Sequence, residues 1–205
     1  MSELCIKSDF TDFYDYLHNE NSNITYNRFM CQCKQRGTAL KYLRSLGIRT
    51  IDIKPVNQFL RTDGPLVVYV NVKEHNGLGK KIISVDEAMQ SYTNCVACQY
   101  YQTLDNYTVK YLQIGQRRFT LYFRKNEPIS LDVGTLVDIR ESVQEYNRLI
   151  GLPIFSIDYI SDGTNMLATD FNEVQRLDKL NFWQYMSAEN IVEEIRNAII
   201  VYNKY

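Results

Sequence analysis

The segment TALKYLRSLGI carries apolar side chains at Ala39, Leu40, Leu43 and Leu46, a stripe with helical spacing. Gly47 follows at once, and a residue free to adopt left-handed backbone is a common helix ending. PLVVYVNV is instead an unbroken apolar, β-branched run, the pattern of a strand covered on both faces. Beyond the polar loop KEHNGLGKK, Ser84 and Glu87 form a capping-box pair that starts a second helix. Cys95 to Tyr101 reads as another strand. YTVKYLQIG and RRFTLYFR alternate on either side of Gly115 and Gln116, which predicts a β-hairpin. Residues 136–150 are expected to form a helix with Val137, Ile139, Val143, Tyr146 and Leu149 or Ile150 inward. PIFSIDYI, a turn at Ser161 to Asn165, and MLATDF predict a further strand pair. A last helix, from about Ala188 to Tyr202, carries Ile191, Ile195, Ala198 and Ile199 on one face. Helices interleave with hairpins, and only one strand–helix–strand stretch is expected to be parallel. The predicted class is α+β rather than a doubly wound sheet.

Composition narrows the possible partners. Lys+Arg at 23 against Asp+Glu at 24 leaves a formal charge of -1, which removes the bulk electrostatic case for binding nucleic acid or a membrane surface. No apolar run approaches membrane-spanning length, and MSELCIKSDF has no signal-peptide core, so a cytoplasmic location is expected. Cys31-x-Cys33 and Cys95-x-x-Cys98 can be combined into a zinc site on paper, but neither has the flanking Gly and His of zinc modules. His18 and His75 sit in polar turns, where a solvated surface role is the simpler reading.

The most informative segment is IDYISDGTNMLATDFNE. Asp158 lies in an apolar strand, Asp170 in its partner, and Asn172 two residues further on the same strand face. Two carboxylates and an amide oxygen converging across a hairpin make a hard, all-oxygen site of the kind Mg²⁺ accepts. The alternative is an ordinary hairpin with its acids in water, although an Asp within an apolar strand calls for a reason.

These residues carry a resemblance. LGLPIFSIDYI…MLATDFNEVQRL resembles the end of an ATP-grasp domain, with the ribosomal-protein glutamate ligases as the clearest comparison. There an acid in a "GVDIL" strand is followed twelve positions later by the acid of an "EVN" motif. Asp158 and Asp170 have that interval, and Asn172 falls on the asparagine. The resemblance implies that these three hold the magnesium ions bridging the nucleotide phosphates. Cys98-Gln99-Tyr100 lies where the family has "QEY", whose backbone contacts the adenine. Lys110 falls on a family Arg, Gly115 on the glycine of a "VVG" turn, and Arg124 on an Arg of "ERR" that contacts phosphate or acyl-phosphate. Arg36 stands at the place of a nucleotide-contacting Lys. KEHNGLGKK, with Lys73, Gly77, Gly79 and Lys80, corresponds to the glycine-rich flap over the phosphates. The likeness extends over roughly 34–200, and also to short bacteriophage ATP-grasp proteins that lack the usual separate N-terminal domain.

The implied architecture is ATP-grasp-like, with two small α+β lobes and mainly antiparallel sheets. Residues 1–33 form a lead-in segment and 34–205 the domain, divided into a nucleotide-covering lobe (34–97) and a core lobe with the metal site (98–205). The implied activity is ATP-dependent carboxylate–amine ligation through an acyl-phosphate, with ATP and Mg²⁺ as cofactors. A small-molecule or peptide carboxylate, an amine and a second copy of the chain are the implied partners. Departures from the family pattern are specific. Val70 or Tyr69 stands where a strand-borne Lys is expected, leaving Lys73 or Lys80 to substitute. Gln99 replaces an acid, and Leu131 and Asp132 stand where an "RSN" Arg supports the acyl-phosphate. Lost cations weaken phosphate-charge stabilisation, so a catalytically degenerate binding protein is the alternative. A metal-dependent nuclease is a third reading, with Asn172 where its core needs Lys.

Overall fold

The computed structural model describes residues 36–71, 79–101, 107–127, 131, 134–144, 146, 154–161, 165–172 and 182–202, with backbone alone at 183, 188 and 199–202. The lead-in, Lys73, His75, Gly77, Asp132 and 147–150 lie outside the described residues. The described part begins with helix α1 (Arg36–Ser45). It ends as Gly47 predicts: φ is +80° there, with Gly47 N–H donating to the Arg44 carbonyl and Ile48 N–H to that of Leu43.

A four-stranded sheet follows, in the order β1-β4-β2-β3, from β1 (Lys54–Pro55), β2 (Leu66–Tyr69), β3 (Lys80–Ile83) and β4 (Val96–Gln99). All four residues of β2 are buried. Leu66 and Val68 pack under helix α2 (Val85–Ser91), while Val67 and Tyr69 face the rest of the molecule. That double coverage is why the run reads as continuously apolar. The Ser84 hydroxyl accepts from Glu87 N–H at 3.2 Å and starts α2 as expected. Every ladder between the described strands is antiparallel. The strand–helix–strand stretch expected to be parallel, PLVVYVNV to Cys95–Tyr101, is antiparallel instead: β3, which the sequence pattern did not announce, reverses the chain before α2, so β4 returns antiparallel to β2.

The five-stranded sheet has the order β7-β6-β5-β8-β9, from β5 (Tyr107–Ile114), β6 (Arg117–Arg124), β7 (Thr135–Glu141), β8 (Ile154–Ser161) and β9 (Met166–Asn172). The β5–β6 hairpin turns at Gly115-Gln116 with Ile114 opposite Arg117. Helix α3 (Ala188–Tyr202) buries Ile191, Val192, Ile195 and Ala198. Residues of both sheets and α1 share one apolar cluster that includes Val67, Tyr69, Cys98, Phe155, Phe171 and Leu43.

The helix expected over 136–150 is not formed in its described part. Residues 135–141 are instead the edge strand β7, Val137 is 51% exposed and Val143 fully so, although Tyr146 is buried as expected. The sequence TLVDIRE admits both periods over so short a span, and its β-branched Thr135, Val137 and Ile139 suit a strand. The deciding contribution is tertiary: β6 has a free edge whose backbone groups β7 satisfies. Val137 is the extra residue of a bulge, which turns it out of the alternation.

Candidate functional site

The acids predicted to act together are brought together. Asp158 of β8 and Asp170 of β9 are direct cross-strand partners, and Asn172 pairs with Ser156. Direct partners share a sheet face, and the two-residue step to Asn172 keeps it on that face. The pairing register shifts just beyond Asp158, where Thr169 is the additional residue on β9. Thr169 uses its irregular position twice. Its hydroxyl donates to the Asp158 carbonyl at 3.2 Å, and its own carbonyl accepts from Arg36 Nη1 at 2.8 Å.

Each carboxylate has a cation. Lys110, Asp158's partner on the other side in β5, donates its ammonium to Asp158 Oδ1 and is only 7% exposed. Arg36, the first residue of α1, places Nη2 at 2.9 Å from Asp170 Oδ2, while Asp170 Oδ1 accepts from Phe171 N–H. Burial pushes the Asp170 carboxyl above its ordinary value; Arg36 pulls it down and the charge of Asp158 pushes it further up.

The small sheet supplies the opposite wall. Tyr69, with Val70 one of the two residues standing where the family resemblance leads one to expect a Lys, ends β2, and its cross-strand partner is Lys80. The Lys80 ammonium lies 5.7 Å and the Arg36 guanidinium 5.4 Å from the centre of the Tyr69 ring, within cation–π range. Burial lowers the Lys80 ammonium pKa, with Arg36 adding to the effect and Asp170 opposing it. The Tyr69 hydroxyl and the Cys98 thiol are 3.6 Å apart, and burial raises both. Lys81, one residue on, binds the Tyr92 hydroxyl at 2.7 Å and points away from this group by strand alternation.

Gly79 closes the base of the expected flap, its carbonyl accepting from Val70 N–H and Asn71 N–H at 2.9 and 3.1 Å. Strand β1 pairs only with Val96 and Ala97 of β4. Among the described residues, then, no strand covers the outer edge of β4 at Cys98 and Gln99. Tyr100 follows directly, its N–H bonded to the Pro65 carbonyl. Arg124 is not brought to the group. It pairs with Tyr107, three residues from Lys110, so the two cations lie on opposite faces of the sheet, and Arg124 is exposed.

Tyr69 was missed as a site residue. Its signal was present in negative form, as one of the two positions for the absent Lys, but the register that sets Lys80 beside it depends on the β2–β3 pairing. Among the described residues no three His, Cys, Asp or Glu side chains cluster as metal ligands. The donor set of Asp158, Asp170 and Asn172 nonetheless fits Mg²⁺. It is all oxygen, and one charge-assisted bond leaves a carboxylate further acceptor capacity. A divalent ion would also relieve the like-charge strain felt at Asp170.

Solved structures share this arrangement of two sheets. The chain aligns with D-alanine–D-alanine ligase from Bacillus anthracis complexed with ATP at 14% identity and TM-score 0.55, over 100% of this chain and 78% of that one. With ATP-grasp ligase PsnB complexed with minimal precursor the values are 14% and 0.60, over 91% and 66%. With macrocyclase MdnC from Microcystis aeruginosa MRC, bound with precursor peptide MdnA, they are 12% and 0.54, over 100% and 73%. The fold is therefore that of the ATP-grasp ligases, α+β with two antiparallel sheets. No protein-family model matches the chain, and no curated protein does. Among the described residues no helix is long and apolar enough to cross a membrane.

Proposed function

We propose that the protein is an ATP-dependent carboxylate–amine ligase, with residues 34–97 covering the nucleotide and 98–205 carrying the acid pair. The observation that carries this reading is the charged group between the sheets: Asp158 and Asp170 side by side, with Arg36, Lys80 and Lys110 around them. Asp158, Asp170 and Asn172 would hold Mg²⁺, which when bound neutralises phosphate charge and aligns the γ-phosphate. A substrate carboxylate oxygen attacks the γ-phosphorus as the bond to the β,γ-bridging oxygen breaks, giving acyl-phosphate and ADP. An amine then attacks the acyl carbon, phosphate leaves, and the amine nitrogen gives up a proton.

Lys110 and Arg36 supply fixed positive charge where negative charge builds on the transferred phosphoryl group. The edge of β4 at Cys98 and Gln99, which no strand covers among the described residues, offers backbone groups for a base, and Gly79 with Lys80 anchors the flap side; Lys73 and Gly77 are the further flap residues of the proposal. Lys110, rather than Arg124, is the cation in position for the phosphoryl group. The complexes of PsnB and MdnC with precursor peptides support a peptide as one substrate, and the D-alanine–D-alanine ligases support a free amino acid.

The reading is tested by ADP release. Steady release that requires both a carboxylate and an amine, and that falls at least about a hundredfold in Asp170→Asn, is the expected result. A specific observation favours a second reading. Both acids already have protein cations, as they would in a scaffold that binds nucleotide without turnover. Saturable ATP binding with no ADP release for any amine and carboxylate pair would select that reading instead.

A further inference from the structure

Two bare carboxylates repel a polyphosphate, and a divalent ion ordinarily screens the one from the other. In this chain neither carboxylate is bare. The Lys110 ammonium is bonded to Asp158, and Lys110 is almost fully buried, so the pair is held by the sheet rather than by chance encounter of surface chains. Arg36 is fixed at both ends of its guanidinium, by Asp170 at 2.9 Å and by the Thr169 carbonyl at 2.8 Å. These two ion pairs cancel. Among the described residues of the group, Lys80 is then the cation left over.

Its setting favours an anion. Lys80 is half-buried beside its cross-strand partner Tyr69, close enough to Arg36, Asp170 and Asp158 to feel their charges. The Tyr69 ring has Lys80 near it and Arg36 near it, two like charges held within 6 Å of one ring centre. Arg36 is already matched by Asp170, so the charge an incoming anion meets in this partly dry space is that of Lys80. A phosphate group has the charge and the acceptor oxygens to meet it.

Resting on the nucleotide reading above, we propose that this site takes the triphosphate of a nucleotide without a divalent ion, with Lys80 as its anchor. The metal is then needed for phosphoryl transfer, not for capture.

The experiment is calorimetric titration of the full chain with an imido-bridged, nonhydrolysable ATP analogue, once in excess EDTA and once in Mg²⁺. The expected dissociation constants agree within about tenfold. Lys80→Met weakens binding by about tenfold or more in both buffers, Lys80→Arg restores it, and Lys81→Met, on the opposite side of β3, leaves it unchanged. Binding in Mg²⁺ with no heat in EDTA overturns the inference and leaves the nucleotide reading standing. No heat in either buffer overturns both. A Lys80→Met chain with unaltered circular dichroism and wild-type affinity removes Lys80 as the anchor.

Discussion

Lys110 and Asp158 form the most buried ion pair of the site, and at the residue scale they set its energetics. Removing one partner of such a pair leaves an uncompensated charge, whereas removing both can be close to neutral. Lys110→Met is therefore expected to lower unfolding free energy by about 3 kcal/mol, and the double variant with Asp158→Asn to recover most of it. Urea unfolding of the four chains checks this, and simple additivity would show that the pair is not coupled. Tyr69 and Cys98 give a second residue-scale expectation. Burial holds both above their ordinary values, so the folded chain keeps protons that the unfolded chain has released. Their contribution is fully present below the unfolded values and lost as pH rises from about 9 through the folded ones. Stability should fall across that alkaline range, and Tyr69→Phe should flatten the fall; an unchanged slope would contradict the assignment. The residue scale is also where the sequence was most legible. An acid, a second acid twelve positions on and an amide two beyond were enough to bring Asp158, Asp170 and Asn172 to one face, because hairpin pairing is a short-range matter.

Elements were legible where their own residues decide them and obscure where a neighbour does. The α1 stripe, the Ser84 cap of α2 and the Gly115 turn are each determined within a few residues. Strand β7 is not: its fate depends on the free edge of β6, which no local period announces. The opposite faces of Lys110 and Arg124 were likewise hidden, since family position by position says nothing of strand parity. The β5–β6 hairpin also has a role beyond its own pairing. Gly115, at φ +58°, is pressed against α3, and an added Cβ would come within 2.5 Å of the Glu194 carbonyl oxygen. Gln116 N–H bonds the Glu194 carboxylate at 3.2 Å, and Gln113 Nε2 bonds the Gly115 carbonyl at 3.1 Å. Gly115→Ala should therefore cost about 2–3 kcal/mol and lower Tm by several degrees, since neither backbone can yield cheaply. A calorimetric Tm equal to wild type would mean that the turn does not fix α3.

At the scale of the whole molecule, two antiparallel sheets and α1 share one apolar cluster, and the charged group draws a side chain from each of the three. Arg36 comes from α1, Lys80 from the small sheet, and Lys110, Asp158 and Asp170 from the large one. A site assembled from three elements reports on their relative placement, so ligand binding should stabilise the whole chain rather than one lobe. In the proposed ligase, the face carrying Asp158, Asp170 and Asn172 holds a divalent ion beside nucleotide phosphate. The most direct measurement is a crystal structure with Mn²⁺ and the nonhydrolysable ATP analogue, read by anomalous scattering. The expected peak lies on the order of 2 Å from oxygens of Asp158, Asp170 and Asn172 and from the phosphates, with Lys80 against the triphosphate. Nucleotide bound elsewhere, or a manganese peak on other groups, would contradict it.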